Sequence, residues 1–172
     1  MQNTQTTPRI YVACLAAYNN GILHGQWIEA NQEAGDIQAE IQDMLAQSPM
    51  PKAEEWAIHD YEGFCGLRLS EYEDMAKVAA MAVLIEEHGE AWARYADHVG
   101  MDDATGDGFK EAYHGQWDSE EDFAEHLAEE TMEIPERLQY YIDYKKLARD
   151  LFIDEYFSAE REGCKVYVFS RH

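Results

Sequence analysis

RIYVACLAAYNNGILHGQWIEA, residues 9–30, contains two segments with the composition of β-strands, separated by a turn. The first, Arg9–Leu15, is rich in β-branched and aromatic residues, and the second, His24–Ala30, has a similar mixture. Between them YNNG, Tyr18–Gly21, is a typical turn sequence. The stretch therefore predicts antiparallel β-structure at the start of the chain.

The rest of the first third adds one helix and one strand. Apolar residues at helical spacing follow the second strand and stop at SPMP, residues 48–51: Ile37, Ile41, Met44 and Leu45. EEWAIHDY, residues 54–61, alternates in the manner of a strand. Residues 8–63 are therefore predicted to form a small domain with a sheet and one helix.

The middle of the chain has a helical pattern. Gly63 and Gly66 flank a break, and Ser70 with Glu73 has the spacing of a capping box. The apolar stripe that follows consists of Met75, Val78, Ala79, Ala82 and Ile85. Gly89 ends this helix, and residues 90–100 predict a second short one. We expect a small, mainly helical domain over residues 64–102.

The last part predicts a mixed domain over residues 103–172, after a glycine-rich boundary at residues 100–109. Ser119 is the expected N-cap of a helix, and Pro135 the expected first residue of another, through ERLQYYIDYKKLA. DEYFSA and CKVYVF, residues 154–159 and 164–169, predict a closing β-hairpin. The fold class expected for the whole chain is α+β, with three small domains, antiparallel strands and short helices.

The formal net charge of −22 is the most unusual property of this 172-residue chain. A magnitude of roughly 2–8 serves solubility in a small domain. Because so large a negative charge repels nucleic acid and anionic membranes, neither is an expected partner. Basic proteins or cations are the partners that it favours.

This charge is confined to one part of the sequence. Residues 1–136 hold 29 acidic and 6 basic residues, whereas residues 137–172 hold 6 acidic and 7 basic ones. The neutral end is also rich in aromatic residues, which are typical of protein interfaces. We therefore expect a homodimer whose contact lies in this end, with four candidate residues: Tyr140, Tyr141, Tyr144 and Phe152.

WDSEEDFAEHLAEE, residues 117–130, holds seven carboxylates and no lysine or arginine. Phe123, Ala124, Leu127 and Thr131 are predicted to form its apolar face. The opposite face repeats carboxylates at Asp118, Asp122, Glu125 and Glu129, although like charges four residues apart weaken a helix. The candidate partner-binding acids are Asp118, Glu121, Asp122, Glu125, Glu129 and Glu130 on this helix, with Glu71, Asp74, Glu86 and Glu87.

The cysteines and the lack of long apolar segments indicate the cellular compartment. Cys14, Cys65 and Cys164 are widely spaced and form no C-x-x-C pair, which suits a reducing cytosol. The start has no apolar core for export, and no run approaches 18 apolar residues. The sequence thus predicts a soluble, cytoplasmic protein.

Catalytic and metal-binding motifs have little support. Residues 103–114 half match a calcium loop, but position 12, which needs glutamate, is His114. The His59–Asp60 pair is interpreted as structural, and no zinc spacing, nucleophile elbow or phosphate-binding glycine loop is found. We therefore predict a protein that is not an enzyme and needs no cofactor or metal.

Three blocks of the sequence resemble, in order, segments of the ArdA antirestriction proteins. They are residues 9–30 quoted above, EEWAIHDYEGF (residues 54–64) and IPERLQYYIDYKKLARDL (residues 134–151). AIHDYEG and LQYYIDY, residues 57–63 and 138–144, are the most specific parts. The resemblance extends from about Ile10 to Tyr167.

The resemblance implies a mobile-element protein that blocks type I restriction–modification enzymes. Such proteins resemble bent B-form DNA in shape and charge. They form an elongated acidic homodimer with three small domains per chain. The dimer occupies the DNA-binding groove of the methyltransferase core and its specificity subunit. The resemblance places the antirestriction motif around Phe123–Arg137 and the dimer contact in the C-terminal domain. Two alternatives remain, an acidic adaptor or chaperone for another basic protein and a carboxylate-based, metal-dependent hydrolase.

Overall fold

The computed structural model describes residues 6–161 and 163–171. Its chain divides into two compact units, the N-terminal unit Met1–Ala93 and the C-terminal unit Arg94–His172. Within the described residues there are eight helices and two three-stranded antiparallel sheets, one in each unit. The predicted α+β class is confirmed. The predicted division into three domains stays a prediction.

The sheet of the N-terminal unit has the order β2-β1-β3. Its strands are β1 (Arg9–Cys14), β2 (Gly25–Glu29) and β3 (Trp56–Glu62), with the short helix α1 (Leu15–Tyr18) after β1. Both pairings are antiparallel. The three strands predicted for this region are therefore confirmed.

A β-bulge interrupts the pairing of β1 with β3. Tyr11 is opposite Asp60, but the next residue, Val12, is opposite Ile58, so His59 has no partner in the register. The His59 ring instead makes an edge contact with Tyr18 at 4.7 Å between ring centroids. The Asp60 carboxylate accepts a hydrogen bond from the Tyr61 backbone N–H at 2.8 Å. Both side chains thus make local contacts within the sheet and its turn.

Gly63 ends this segment in a conformation that only glycine adopts readily. Its φ is +80°, and a Cβ atom at this position would lie 2.5 Å from the Thr6 carbonyl oxygen. The glycine of the AIHDYEG block is therefore required by the close approach of the N-terminal segment.

Two helices complete the core of the N-terminal unit, α2 (Ala34–Ala46) and α3 (Met75–His88). The predicted start of α3 is wrong, because Asp74 caps the helix by accepting the Ala76 N–H at 3.0 Å. The Ser70 N–H does donate to the Glu73 carboxylate at 3.2 Å, but within the turn before the helix. Gly89 ends α3 as predicted, and α4 (Glu90–Val99) follows.

The C-terminal unit has the sheet order β4-β6-β5. Its elements after α4 are α5 (Gly106–Ala112), β4 (Tyr113–Trp117), α6 (Glu120–Thr131), α7 (Glu136–Gln139), α8 (Tyr144–Asp154), β5 (Tyr156–Glu160) and β6 (Val166–Ser170). The predicted closing hairpin is confirmed as β5 and β6, which are antiparallel. The sequence pattern did not reveal α5 or β4.

The single helix predicted from Pro135 is instead two helices. Pro135 is the N-cap of α7, and Asp143 caps α8 by accepting the Lys146 N–H at 3.0 Å. An aspartate that binds a backbone N–H in this way favours a helix start over a helix interior. Consequently Tyr140 and Tyr141 lie in the connection between the two helices. No described helix has both the length and the apolarity needed to cross a membrane.

Candidate functional site

The acidic helix α6 begins as the sequence predicts. The Ser119 Oγ atom accepts a hydrogen bond from the Asp122 N–H at 3.1 Å, which fixes the first turn. The buried face consists of Phe123, Ala124 and Ala128. The predicted face was partly wrong, since Thr131 is exposed and its hydroxyl donates to the Leu127 carbonyl oxygen.

Phe123 anchors α6 to the rest of the C-terminal unit. Its ring makes edge contacts with Trp117, Tyr156 and Phe152 at centroid distances of 5.5, 4.9 and 5.9 Å. Ala124 on the next position contributes to a cluster with Ala148 and Leu151 of α8. Because several rings hold Phe123 and α8 holds the adjacent alanine, the opposite face of α6 has a fixed orientation.

The ten candidate carboxylates are all exposed to solvent. Six lie on or next to α6, namely Asp118, Glu121, Asp122, Glu125, Glu129 and Glu130. The other four belong to the N-terminal unit, namely Glu71, Asp74, Glu86 and Glu87. We call the six carboxylates on or next to α6 the acidic face.

Two members of the acidic face have basic side chains as neighbours. Asp118 forms a salt bridge with Lys165 at 3.1 Å, and Glu130 lies 3.3 Å from His126. Among the described residues, no cation pairs with the four remaining carboxylates, Glu121, Asp122, Glu125 and Glu129. The sequence carries no signal for this salt bridge, because Lys165 lies 47 positions from Asp118 and only the pairing of β4 with β6 brings the two together.

Glu120 differs from these acids in having a structural role. Its carboxylate accepts a hydrogen bond from the half-buried Ser158 hydroxyl of β5 at 2.5 Å. This contact ties the first turn of α6 to the sheet, and Glu120 is correspondingly less exposed than the acidic face.

The titratable groups around Phe123 do not supply positive charge at neutral pH. Burial raises the pKa of Tyr156, and the nearby Glu155 carboxylate raises it further. Burial lowers the pKa of His114, whose ring lies 5.9 Å from that of Phe123. Both side chains are therefore neutral at pH 7, and neither offsets the charge of α6.

The candidate interface residues differ in their surroundings. Tyr140 and Tyr141 are 92% and 84% exposed, whereas Tyr144 is half-buried. Phe152 is half-buried and packs against the cluster of Ala124, Ala148 and Leu151, so part of its apolar surface is covered within the chain. Other exposed apolar residues of this region are Met132 and Leu138.

The half match to a calcium loop corresponds to a helix start. The Thr105 hydroxyl accepts the Gly108 N–H at 3.0 Å and thereby caps α5. Over residues 6–161 and 163–171, no group of three or more histidine, cysteine, aspartate or glutamate side chains could hold a metal ion.

These features define a protein with a fixed, largely unpaired acidic face, suited to binding a basic partner. The sequence model of the ArdA antirestriction proteins matches residues 10–166, so the chain belongs to this family. Its function is accordingly antirestriction, through interaction with restriction–modification enzymes. Comparison with curated proteins finds no match. Family membership supports neither the adaptor nor the hydrolase alternative.

Proposed function

We propose that the protein acts as a mimic of duplex DNA that occupies the DNA-binding groove of a type I restriction–modification enzyme. The observation that carries this proposal is the acidic face, where exposed carboxylates repeat along one side of an anchored helix. A groove that binds DNA offers lysine and arginine side chains to phosphates. The same side chains are complementary to the acidic face.

The spacing of the carboxylates is compatible with a strand of phosphates. Residues four apart in a helix are separated by about 6 Å along its axis. This value is close to the distance between neighbouring phosphates of one DNA strand. Within α6, the pairs Glu121–Glu125 and Glu125–Glu129 are four residues apart.

The net charge of the chain is also comparable with the phosphate charge of a short DNA duplex. Duplex DNA carries one negative charge per about 1.7 Å of axis, so a charge of −22 corresponds to about 37 Å, or about 11 base pairs. Two copies of the chain would match about 22 base pairs. A duplex of about this length suits an enzyme that binds a bipartite recognition site.

The stability cost of the acidic face is consistent with a binding role. Like charges four residues apart destabilise a helix by a few tenths of a kcal/mol per pair. A basic groove would relieve this repulsion on binding. A face that served solubility alone would not need carboxylates in consecutive turns.

The proposed active form is a homodimer that forms through the exposed tyrosines Tyr140 and Tyr141. Two acidic bodies repel each other, so their contact must be apolar and lie away from most of the charge. These tyrosines belong to the neutral end of the chain, with the exposed Leu138 beside them.

A competition experiment tests the proposal. A fluorescent DNA duplex with the recognition site is bound to the purified methyltransferase core of a type I enzyme, and the protein is then titrated in. Mimicry predicts that the duplex is released in proportion to the protein bound. A ternary complex that contains both the duplex and the protein would contradict it.

A further inference from the structure

The N-terminal unit contains a groove that the acidic face does not account for. Its volume is about 580 Å³, within the range of roughly 300–1,000 Å³ that is usual for ligand pockets. The lining combines apolar and aromatic side chains with carboxylates, among them Leu15, Trp56, Tyr72, Glu54 and Glu55. We call it the Trp56 groove.

Backbone hydrogen bonds hold the walls of the Trp56 groove in place. The Leu15 N–H donates to the Glu55 carbonyl oxygen at 3.0 Å, which joins α1 to the start of β3. The Ile58 N–H donates to the Glu71 carbonyl oxygen at 2.8 Å, which fixes the segment that carries Tyr72. The groove is therefore formed before any partner arrives.

The two aromatic side chains of the groove are available for a ligand. Tyr72 is 67% exposed, and Trp56 is half-buried at the start of β3. Within the part of the chain that the structure describes, neither ring contacts another aromatic ring, and neither side chain makes a hydrogen bond. Tryptophan and tyrosine in such pockets are the residues that most often dominate binding at protein interfaces.

The carboxylates of the groove are also available. Glu54 and Glu55 are exposed, and no described cation forms a salt bridge with either. Glu73, which also lines the groove, differs because it lies 3.7 Å from Lys77. The groove thus presents free negative charge beside two aromatic faces.

We propose that the Trp56 groove receives an arginine side chain of the restriction–modification enzyme. A guanidinium group stacks on aromatic faces and binds carboxylates through two parallel hydrogen bonds, whereas a lysine ammonium is a compact, strongly hydrated charge. The identity of the partner rests on the proposed function. The groove would add one specific arginine contact in the N-terminal unit. The acidic face, by contrast, attracts the enzyme through several separate carboxylates.

The test is to measure affinity for a purified type I methyltransferase core with two matched pairs of variants. Tyr72→Leu removes the exposed ring without changing the net charge, and Tyr18→Leu is its control at another exposed tyrosine of the same unit. The double variant Glu54→Gln/Glu55→Gln removes two charges from the groove. Its control, Asp36→Asn/Asp43→Asn, removes two exposed charges from α2. Thermal unfolding of each variant confirms that the fold is retained.

We expect Tyr72→Leu to weaken binding to the methyltransferase core about tenfold, with no change in the salt dependence of the affinity. Tyr18→Leu should change the affinity less than about twofold. The Glu54/Glu55 variant should weaken binding several times more than the Asp36/Asp43 variant. Equal effects within each pair, in variants that fold, would overturn the inference and leave mimicry by the acidic face intact.

A second measurement does not depend on the enzyme. The indole N–H of Trp56 is followed by NMR while N-acetyl-arginine methylamide is added, with the lysine analogue as the control probe. Trp27, which already stacks with the Arg9 guanidinium at 4.7 Å, is the internal reference. A saturable shift of Trp56 alone, larger with arginine than with lysine, supports the groove even if the wild-type protein fails to bind the methyltransferase. Equal or absent responses at Trp56 and Trp27 would overturn it.

Discussion

The Lys165 ammonium lies 3.1 Å from the Asp118 carboxylate, so the turn of the closing hairpin neutralises the first acid of the acidic face. Both side chains are about half or more exposed, at 48% and 74%. Salt bridges with this exposure contribute little to folding, about 0–1 kcal/mol. The pair therefore matters more for the charge presented to a partner than for stability.

Lys165→Gln should strengthen binding to the methyltransferase core by a small factor, about two- to threefold at low salt, because it frees Asp118 and adds one net negative charge. The midpoint of thermal unfolding should change little. Competition titrations against the fluorescent duplex measure the first effect. Arg149→Gln is a control that makes the same charge change on α8, beside Asp150. A Lys165 variant that binds less tightly than wild type would contradict a role for Asp118 in binding.

Glu125→Gln/Glu129→Gln should raise stability and lower affinity at the same time. The two carboxylates are four residues apart and lie toward the C-terminal end of α6, where negative charge is unfavourable. We expect the free energy of unfolding to increase by a few tenths of a kcal/mol, by urea denaturation. Binding to the methyltransferase core should weaken by about threefold or more. Unchanged affinity would mean that this part of α6 lies outside the interface.

The homodimer prediction is tested by light scattering at physiological salt. The chain has a mass of 19.8 kDa, and we expect a species of about twice that mass. Tyr140→Ser/Tyr141→Ser should shift it to the monomer, because these exposed rings supply the apolar contact. Leu23→Ser, at an equally exposed apolar position of the N-terminal unit, should leave the dimer intact. A wild-type protein that scatters only as a monomer would refute the dimer.

His98 offers a test of the C-terminal unit by pH. Its imidazole stacks on Phe157 with centroids 3.7 Å apart. Burial lowers its pKa below the ordinary value of 6.5, Arg171 lowers it further, and Asp97 opposes the shift. NMR titration should therefore show the pKa falling in Asp97→Asn and rising in Arg171→Gln.

The sign of the linked stability follows from the lowered pKa. The unfolded chain binds a proton at this site more readily than the folded chain. The contribution of His98 to stability is thus complete above pH 6.5 and is lost as pH falls through the folded pKa. The loss should be small, because the stack on Phe157 shields one face of the ring while the residue as a whole remains exposed to solvent. A His98 pKa above 6.5 in the folded protein would show that the stacked arrangement is wrong.

The sequence predicted the elements that depend on local patterns. The turn at Tyr18–Gly21, the strands on either side of it and the Ser119 cap of α6 all follow from residues close together in the chain. The family was also recognisable from short blocks, such as residues 57–63 and 138–144. Local composition is sufficient in these cases because the contacts involved are themselves local.

The errors concern contacts between distant residues or competition between neighbouring caps. Ser70 and Asp74 both satisfy the preference for an N-cap, but Asp74 is the one that binds the free N–H of α3. Strand β4 has little apolar alternation of its own and is defined by its pairing with β6. No sequence pattern indicated the Trp56 groove, because its walls come from separate segments of the N-terminal unit.

Salt dependence is the most direct test of mimicry. Affinities of the protein and of the DNA duplex for one purified methyltransferase core are measured between about 50 and 200 mM salt, a range over which DNA binding weakens greatly. A folded protein condenses fewer counterions than DNA, so its affinity should fall with salt along a shallower slope, and it should displace the duplex throughout. Protein affinity that is indifferent to salt, or binding that leaves the duplex in place, would contradict the account.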